Sequence, residues 1–365
     1  MDLIPAAYYT IIYYQVLLLM VLVLYAQGAR LDITDPKNLQ GKQAIASALF
    51  VFLILYMGLR PISARWFGDM RTYANFYADY AAGAKVTPGK DIYFEYLMKW
   101  LSGFMPVEGF FFLCALLYVI PLFIATRKIF GKYAPYGFIM IVLSMSFWSY
   151  GVNGIRNGIA TSMFILAVSR TKLAWQIMLL VLSTMFHQSM WIPVIAWAIA
   201  WKYTKTKAWL WFWGLAIPLS LAFGGSWENL VLQLGFGTDE RLQVYLSDEE
   251  NEFQEQFASI GFRWDFLLYS ATGVFAGWYY IFKKKFEDPL YAQIFNTYLI
   301  ANGFWILIIR ATFSNRFAYL SWFLLALVII YPLLATKYFH KQNLLIARIM
   351  LLYFAFTYLI NFVLL

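Results

Sequence analysis

Apolar residues fall in long runs along the chain, and charged residues collect in the short segments between the runs. An apolar run of about 17–25 residues is long enough to cross the hydrocarbon core of a bilayer. The pattern predicts twelve membrane-spanning helices with apolar interiors and charged ends: 8–26, 43–59, 110–126, 133–149, 155–169, 173–187, 189–201, 208–223, 264–282, 289–309, 317–336 and 349–365. The runs 173–187 and 189–201 are short, so half-spans or re-entrant segments are the alternative there.

The predicted fold class is therefore an all-α, polytopic integral membrane protein. No fixed-period repeat or low-complexity linker divides the sequence, so residues 1–365 are predicted to form a single transmembrane domain. Two connecting segments are long, 60–109 and 224–263. Because long loops commonly carry function, we expect both to be extracytoplasmic loops that cover an outward-facing cavity.

The composition agrees with a membrane protein. Hydrophobic residues make up 62% of the chain and charged residues only 13%, whereas soluble domains contain about 25% charged residues. This excludes an ordinary soluble enzyme. The net charge of +9 does not by itself indicate a nucleic-acid partner, because in a membrane protein basic residues also determine which loops are cytoplasmic. Cys114 is the only cysteine, so no internal disulfide can form.

The distribution of basic residues predicts the orientation. One set of connectors carries 17 Lys and Arg against 4 Asp and Glu, and the rest of the chain carries 11 against 15. These basic connectors are 27–42, 127–132, 170–172, 202–207, 283–288 and 337–348. By the positive-inside rule they are cytoplasmic, and both termini face outward.

The two sides also differ in the type of basic residue. The predicted cytoplasmic side has 13 Lys and 4 Arg, and the outer side has 3 Lys and 8 Arg. The planar guanidinium group of Arg matches phosphate and carboxylate groups bidentately, which favours an anion site on the outer side. The alternative is that these arginines pair with acidic neighbours or lipid headgroups. The outer arginines are Arg60, Arg65, Arg71, Arg156, Arg241, Arg263, Arg310 and Arg316.

Three short motifs contain candidate site residues. In Asn153-Gly-Ile-Arg-Asn-Gly158, Arg156 and Asn157 stand where a helix begins, so an anion would meet a guanidinium group and free backbone N–H groups. A tight helical-hairpin turn is the alternative. Arg316 opens the eleventh predicted span, where an ionisable residue is costly and suggests function. Arg263 opens the ninth, but Asp265 could simply neutralise its charge.

His187, in Phe186-His-Gln-Ser189, is the only histidine predicted on the outer half; His340 lies in a cytoplasmic connector. An imidazole can accept a proton from a sugar hydroxyl near neutral pH, which suits a general base in glycosyl transfer. A hydrogen-bonded structural role is the alternative. With two histidines on opposite sides and one cysteine, no metal site is predicted. There is no Walker A or GxGxxG motif either, so we predict no cofactor.

The motifs resemble those of the EpsG family of polysaccharide polymerases, which is related to the Wzy O-antigen polymerases. The stretches that carry the resemblance are Gly68-Asp-Met-Arg-Thr-Tyr73, Asn153-Gly-Ile-Arg-Asn-Gly158 with Phe186-His-Gln-Ser189 about thirty residues later, Gly261-Phe-Arg-Trp-Asp265, and Arg316-Phe-Ala-Tyr319. Met70 and Arg71 depart from the small residues that are usual in the first motif. The order and spacing of the stretches cover most of the chain.

The resemblance implies a glycosyltransferase of the GT-C kind in the bacterial inner membrane, with its active site facing the periplasm or cell exterior. Such an enzyme moves a growing glycan from undecaprenyl pyrophosphate to the terminal sugar of the next lipid-linked repeat unit, without a metal. The expected partners are this lipid-linked donor and acceptor, the lipid bilayer and a chain-length regulator protein, with no nucleic acid. A flippase or exporter of lipid-linked oligosaccharide and an O-antigen ligase-like transferase remain alternatives.

The resemblance also suggests roles for the candidate residues. The pyrophosphate group would be bound by Arg156 and Arg316, with Arg263 or Arg71 and Asn157 assisting. His187 would be the base, and Asp69 is the competing base, although nearby arginines should keep the pKa of its carboxyl low. Sugar rings would stack on Tyr73, Tyr77, Trp66 and Trp264, for which an interfacial aromatic belt is the alternative.

Overall fold

The computed structural model describes residues 4–86, 91–231, 261–311 and 315–364, and these residues contain helices and no strand. The helices are α1 (Ala6–Arg30), α2 (Pro36–Gly58), α3 (Ala64–Phe67), α4 (Met70–Ala81), α5 (Ile92–Ser102), α6 (Val107–Phe130), α7 (Ala134–Val142), α8 (Met145–Val152), α9 (Ile155–Val168), α10 (Leu173–Phe186), α11 (Trp191–Lys202), α12 (Thr206–Val231), α13 (Trp264–Trp278), α14 (Pro289–Leu307), α15 (Asn315–Ala335) and α16 (Gln342–Leu359). The prediction of an all-α protein is confirmed for the described residues.

Six segments of the described chain are long and apolar enough to cross a membrane. They are Ala6–Arg30, Pro36–Gly58, Val107–Val142, Thr206–Gly225, Arg316–Ala335 and Gln342–Phe362. Two shorter apolar helices, Ile155–Val168 and Leu173–Phe186, fall below the length of a full span. The chain is thus a multi-pass helical membrane protein. Every predicted run overlaps at least one helix, but length and composition alone support six spans rather than twelve.

The predicted span 133–149 differs from the structure in one respect. Two helices, α7 and α8, cover it, and they are separated at Leu143 and Ser144. Ser144 has extended backbone angles, φ −70° and ψ 149°, and its hydroxyl donates a 2.7 Å hydrogen bond to the carbonyl oxygen of Ile141. Such a local side-chain bond offers the backbone an alternative to continued helix. Apolar composition does not reveal this break.

Contacts divide the chain into two compact units, each of which is described by itself. Unit 1 contains Met1–Met190 and Leu333–Leu365, and unit 2 contains Trp191–Pro332. In unit 1, α6 packs against α2 and α9, α9 packs against α10, and α1 packs against α16. In unit 2, α14 packs against α11 and α12.

Two of the predicted cytoplasmic connectors, 27–42 and 337–348, meet at one end of unit 1, where Tyr136 joins them. Asn38 donates a 2.6 Å hydrogen bond to the Tyr136 hydroxyl, which donates to Asn343 at 2.7 Å. Asp32 and Lys337 form an exposed ion pair at 3.0 Å. The backbone N–H and hydroxyl of Thr34, together with Lys337, lower the pKa of Asp32 to about 2.

Unit 2 has a buried polar cluster among its helices. The Asn302 side-chain amide donates to the Ser270 and Ser321 hydroxyls at 3.1 and 2.9 Å, and its carbonyl accepts from the Trp213 indole at 2.7 Å. Buried polar groups need such partners, because an unsatisfied one costs about 1–3 kcal/mol. The cluster therefore fixes the register of α12, α13, α14 and α15.

The predicted loop 60–109 is mostly helical. It contains α3, α4 and α5, and the short helices α4 and α5 pack against each other. Helix α4 buries Met70, Tyr73 and Tyr77, and α5 buries Phe94, Met98 and Leu101. Apolar residues at spacings of three and four form one buried face on each of the two helices. The other predicted loop, 224–263, lies mostly outside the described residues, as does its acidic stretch 247–255.

Candidate functional site

The centre of the candidate site is the carboxylate of Asp91, at the position immediately before α5. Its side chain is only 4% exposed. One carboxylate oxygen, Oδ2, lies 2.6 Å from Arg156 Nη1 and 3.1 Å from His187 Nδ1. The other, Oδ1, accepts a 2.9 Å hydrogen bond from the backbone N–H of Gln188. A buried charge needs this kind of pairing, since removing it from water is costly.

Helix packing explains why Arg156 and His187 meet. Arg156 lies in the first turn of α9, and His187 directly follows the last residue of α10. The two helices are joined by residues 169–172 and pack against each other, so the start of α9 and the end of α10 lie at the same end. Residues far apart in the sequence thus reach one carboxylate.

Tyr73 completes the support of Arg156. The Tyr73 hydroxyl accepts a 3.1 Å hydrogen bond from Arg156 Nε, and the guanidinium carbon lies 5.4 Å from the centre of the Tyr73 ring. The Phe94 ring packs edge-on against Tyr73 at 5.5 Å. Asp91 and Tyr73 orient the Arg156 guanidinium group, and 26% of the Arg156 side chain stays exposed and accessible to a ligand.

The electrostatics of the cluster favour an ionised Asp91. Burial opposes ionisation, but the hydrogen bond and charge of His187, the charge of Arg156 and the Gln188 N–H outweigh it, so the pKa of the Asp91 carboxyl is lowered. Burial raises the pKa of the Tyr73 hydroxyl, which therefore stays protonated. Because an ionised carboxylate can only accept hydrogen bonds, His187 Nδ1 is the donor in this contact, and Nε2 is the ring nitrogen left for a substrate.

Asp69, the competing base, is held by a different contact. The side-chain oxygen of Asn153 accepts a 2.9 Å hydrogen bond from the Asp69 backbone N–H. Asn153 precedes α9, so this contact ties the segment that starts α4 to the turn that carries Arg156. Asp69 is half-buried.

Gly68 makes this contact feasible. It has φ +51° and ψ −114°, which side-chain-bearing residues rarely adopt, and an added Cβ would overlap the side-chain amide of Asn153. We expect Gly68→Ala to destabilise the protein by about 1–3 kcal/mol through backbone strain alone, plus the cost of that overlap. The measurement is thermal unfolding in detergent.

Gly83→Ala is the matched control for this prediction. Gly83 also has a positive φ, +96°, but no heavy atom lies within 4 Å of its added Cβ. We expect it to share the backbone strain without the overlap, and so to lose less stability than Gly68→Ala. Equal losses in the two variants would contradict a role for the Asn153 contact.

The other residues predicted to bind pyrophosphate differ in burial and in the contacts of their side chains. Arg263 forms a bidentate ion pair with Asp265, Nε to Oδ1 at 2.9 Å and Nη2 to Oδ2 at 2.6 Å. This is the neutralising alternative considered from the sequence. Arg316 is exposed at the start of α15 in unit 2, and Arg71 is exposed on α4. Asn157 is half-buried, and its Oδ1 has no hydrogen-bond partner among the described residues.

The aromatic residues predicted to bind sugar divide into buried and exposed pairs. Tyr73 and Tyr77 are each 4% exposed, and the Tyr77 hydroxyl donates to the Met105 carbonyl at 2.8 Å. Neither ring therefore presents a face to a sugar, and both act in packing. Trp66 is 45% exposed and Trp264 is 59% exposed, which leaves their rings accessible.

Asp91 was missed in the sequence analysis. It lies in the stretch predicted to be a loop, and no charged neighbour marks it except Lys90. The available signal was its position: an Asp directly before the spacing of Phe94, Met98 and Leu101 is typical of the residue that precedes an amphipathic helix. That signal predicts the start of a helix but not a site.

The fold and the site together define a multi-pass helical membrane protein with a buried Asp–Arg–His cluster at one end of its helices. Residues 44–364 match the family model described as the EpsG family. The chain belongs to the EpsG family, a family of Wzy-like polysaccharide polymerases that act in polysaccharide biosynthesis. A comparison with curated proteins gives no match, and a comparison with solved structures gives none either.

Proposed function

We propose that this chain polymerises oligosaccharide repeat units linked to undecaprenyl pyrophosphate, at the periplasmic or outer face of the bacterial inner membrane. Membership of the EpsG family supports the polymerase activity. The surplus of basic residues in one set of connectors supports placing those connectors in the cytoplasm and the active site on the opposite side of the membrane. In this proposal the chain has the twelve spans read from the sequence, a GT-C-like architecture and no metal requirement. A chain-length regulator protein is the proposed partner beyond the lipid-linked substrates.

The observation that carries the proposed chemistry is the Asp91 carboxylate shared by Arg156 and His187. In the proposed step, an acceptor-sugar hydroxyl gives its proton to His187 Nε2 while its oxygen attacks the anomeric carbon of the donor. The bond between that carbon and the phosphate oxygen breaks, and undecaprenyl pyrophosphate leaves. Asp91 orients the imidazole and stabilises its charged form, as a buried acid does for histidine in other enzymes.

Arg156 is the proposed cation for the leaving pyrophosphate. Asp91 and Tyr73 each take one of its N–H groups, which fixes the guanidinium plane and leaves other donors for a ligand. Preorganised donors of this kind stabilise the charge that develops as the bond breaks. Arg316, Arg71 and Asn157 stay proposed contributors to pyrophosphate binding. Arg263 is the weakest of the proposed contributors because its guanidinium group is already paired with Asp265.

The direct test uses the purified protein, reconstituted with a defined lipid-linked repeat unit. We expect a ladder of oligomers with one-repeat spacing, separated by gel electrophoresis or mass spectrometry. The repeat unit appearing unchanged in the opposite leaflet would instead identify a flippase. Transfer to a second class of acceptor without a ladder would identify a ligase-like enzyme.

Arg156→Lys is expected to lower the rate of chain extension by about 100-fold, the cost of removing one preorganised donor. A single ammonium group cannot bond the Tyr73 hydroxyl and the Asp91 carboxylate while also bridging a pyrophosphate. The measurement is the length distribution of the products at matched protein levels. Arg65→Lys is the control, because Arg65 is exposed over the Trp66 ring at 5.1 Å, away from the cluster. Normal chain length in Arg156→Lys would contradict the proposed role.

A further inference from the structure

The outward face of α5 carries a stripe of large apolar side chains that the protein does not cover. Ile92, Tyr96, Trp100 and Phe104 recur every four residues and are 46%, 59%, 67% and 62% exposed. Side chains at this spacing lie on the same face of a helix. The stripe is therefore continuous along α5 and the residues that follow it.

The opposite face of α5 is packed inside unit 1. Phe94 and Met98 are each 0% exposed, and Leu101 is 2% exposed. The helix thus has two apolar faces, one buried in the protein and one without a partner in the described residues. A contiguous exposed apolar patch of this kind marks an interaction surface.

Two lysines border the stripe. An open groove with a volume of about 580 Å³ is lined by Lys85, Val86, Tyr96, Lys99 and Trp100. Its side chains offer two ammonium groups, two aromatic rings and an aliphatic residue, and no acid. A lipid headgroup with a negatively charged phosphate above an acyl chain matches this combination of ammonium groups with aromatic and aliphatic side chains.

The position of α5 in the chain supports the same partner. Helix α5 ends at Ser102, and α6, which belongs to a candidate membrane span, begins at Val107. Helix α5 also packs against α6 and α10. Only residues 103–106 separate α5 from the start of the span, and Phe104 lies among them, which puts the stripe near the membrane surface. Tyr and Trp are enriched at that depth.

We propose that α5 is an interfacial helix, and that its groove binds an acidic phospholipid of the surrounding bilayer. Tyr96, Trp100 and Phe104 would enter the boundary between headgroups and acyl chains, and Lys85 and Lys99 would pair with the phosphate. Asp91 directly precedes this helix, so the bound lipid would hold the helix whose opposite end carries the site carboxylate. The binding itself does not depend on the proposed polymerase activity.

The test uses site-directed spin labelling of the full-length chain. Cys114 is the only cysteine and is buried, so Phe104→Cys in a Cys114→Ala background gives one label at the end of the stripe. Asn75→Cys, on the exposed polar face of α4, is the control. The protein is placed in nanodiscs of phosphatidylcholine alone or with increasing phosphatidylglycerol. Accessibility to oxygen and to a water-soluble nickel complex is measured by electron paramagnetic resonance.

We expect the label at position 104 to be accessible to oxygen and shielded from nickel, increasingly so as phosphatidylglycerol is added, and the label at position 75 to stay accessible to nickel. In Lys85→Gln/Lys99→Gln, the affinity for phosphatidylglycerol should fall by about 30-fold, since each surface lysine near acidic lipid contributes about 1 kcal/mol. High salt should weaken the effect in the parent chain.

Three results would overturn the proposal. Equal nickel accessibility at positions 104 and 75 would mean that the stripe faces water. Shielding that ignores both phosphatidylglycerol and the lysine substitutions would exclude the acidic-lipid site. Shielding that appears only with two copies of the chain per disc, or only with added glycan, would identify a second copy or a saccharide as the occupant.

Discussion

Asp91→Asn is expected to reduce polymer synthesis by about 10²–10⁴-fold, the range for loss of general acid–base catalysis. The substitution keeps the size of the side chain but removes the charge that pairs with Arg156 and His187. An amide can also donate a hydrogen bond to His187, which would favour the wrong imidazole tautomer and place the proton on Nε2. The measurement is the initial rate of oligomer formation by purified protein.

Asp79→Asn is the matched control for this prediction. Asp79 lies on the exposed face of α4, in the same predicted extracytoplasmic segment, so its substitution removes an equal charge outside the cluster. We expect a nearly normal rate. If Asp91→Asn polymerises like Asp79→Asn while remaining folded, the cluster is structural and the proposed mechanism is wrong.

The pKa of Asp91 adds a pH dependence to this comparison. Burial raises the pKa of its carboxyl, but His187, Arg156 and the Gln188 N–H lower it by more, so the folded-state pKa lies below that of the unfolded chain. A lowered folded-state pKa contributes stability above the unfolded pKa, and this stability is lost as pH falls through the folded pKa. The unfolded value for Asp is about 3.9.

We therefore expect wild type to unfold at a higher temperature than Asp91→Asn at about pH 5, with the margin shrinking as the pH falls below about 4. Thermal unfolding of both proteins across this acidic range measures the margin. A margin that does not shrink below about pH 4 would contradict an ionised Asp91.

The sequence predicted the helical class and singled out Arg156 and His187 as candidate site residues because both inferences follow from local patterns. Apolar runs identify helices without knowledge of their packing, and rare polar residues at helix ends stand out against an apolar background. The same local patterns could not show where the Arg60 side chain lies. It was counted with the outer arginines, but its guanidinium donates to the carbonyl oxygens of Met57 and Val152 in the protein interior, where it is 4% exposed.

The pairing of residues distant in the sequence could not be predicted in this way. Asp91 lies 65 residues before Arg156 and 96 before His187, and only the packing of α5, α9 and α10 brings them together. The role of Tyr73 could not be predicted from local sequence patterns either. Its position in a motif suggested a sugar platform, but burial and the bond from Arg156 make it a support for the guanidinium.

His187→Asn is the substitution that separates the two candidate bases. The Asn side-chain amide can still donate to Asp91 from near the position of Nδ1, so the buried carboxylate keeps a partner, but no group replaces Nε2. We expect the rate of polymerisation to fall by about 10²–10⁴-fold, with the protein still folded. Asp69→Asn, in contrast, should lose less than about 10-fold, because it leaves the proposed base in place and keeps the backbone N–H that donates to Asn153.

His187→Asn and Asp69→Asn together test which residue is the general base, because each variant keeps a side chain of similar shape and removes one proton acceptor. Initial rates with the defined lipid-linked substrate are compared for the two variants and the wild type. A wild-type rate in His187→Asn, combined with a large loss in Asp69→Asn, would transfer the role of base to Asp69 and reduce the Asp91–His187 contact to a structural one.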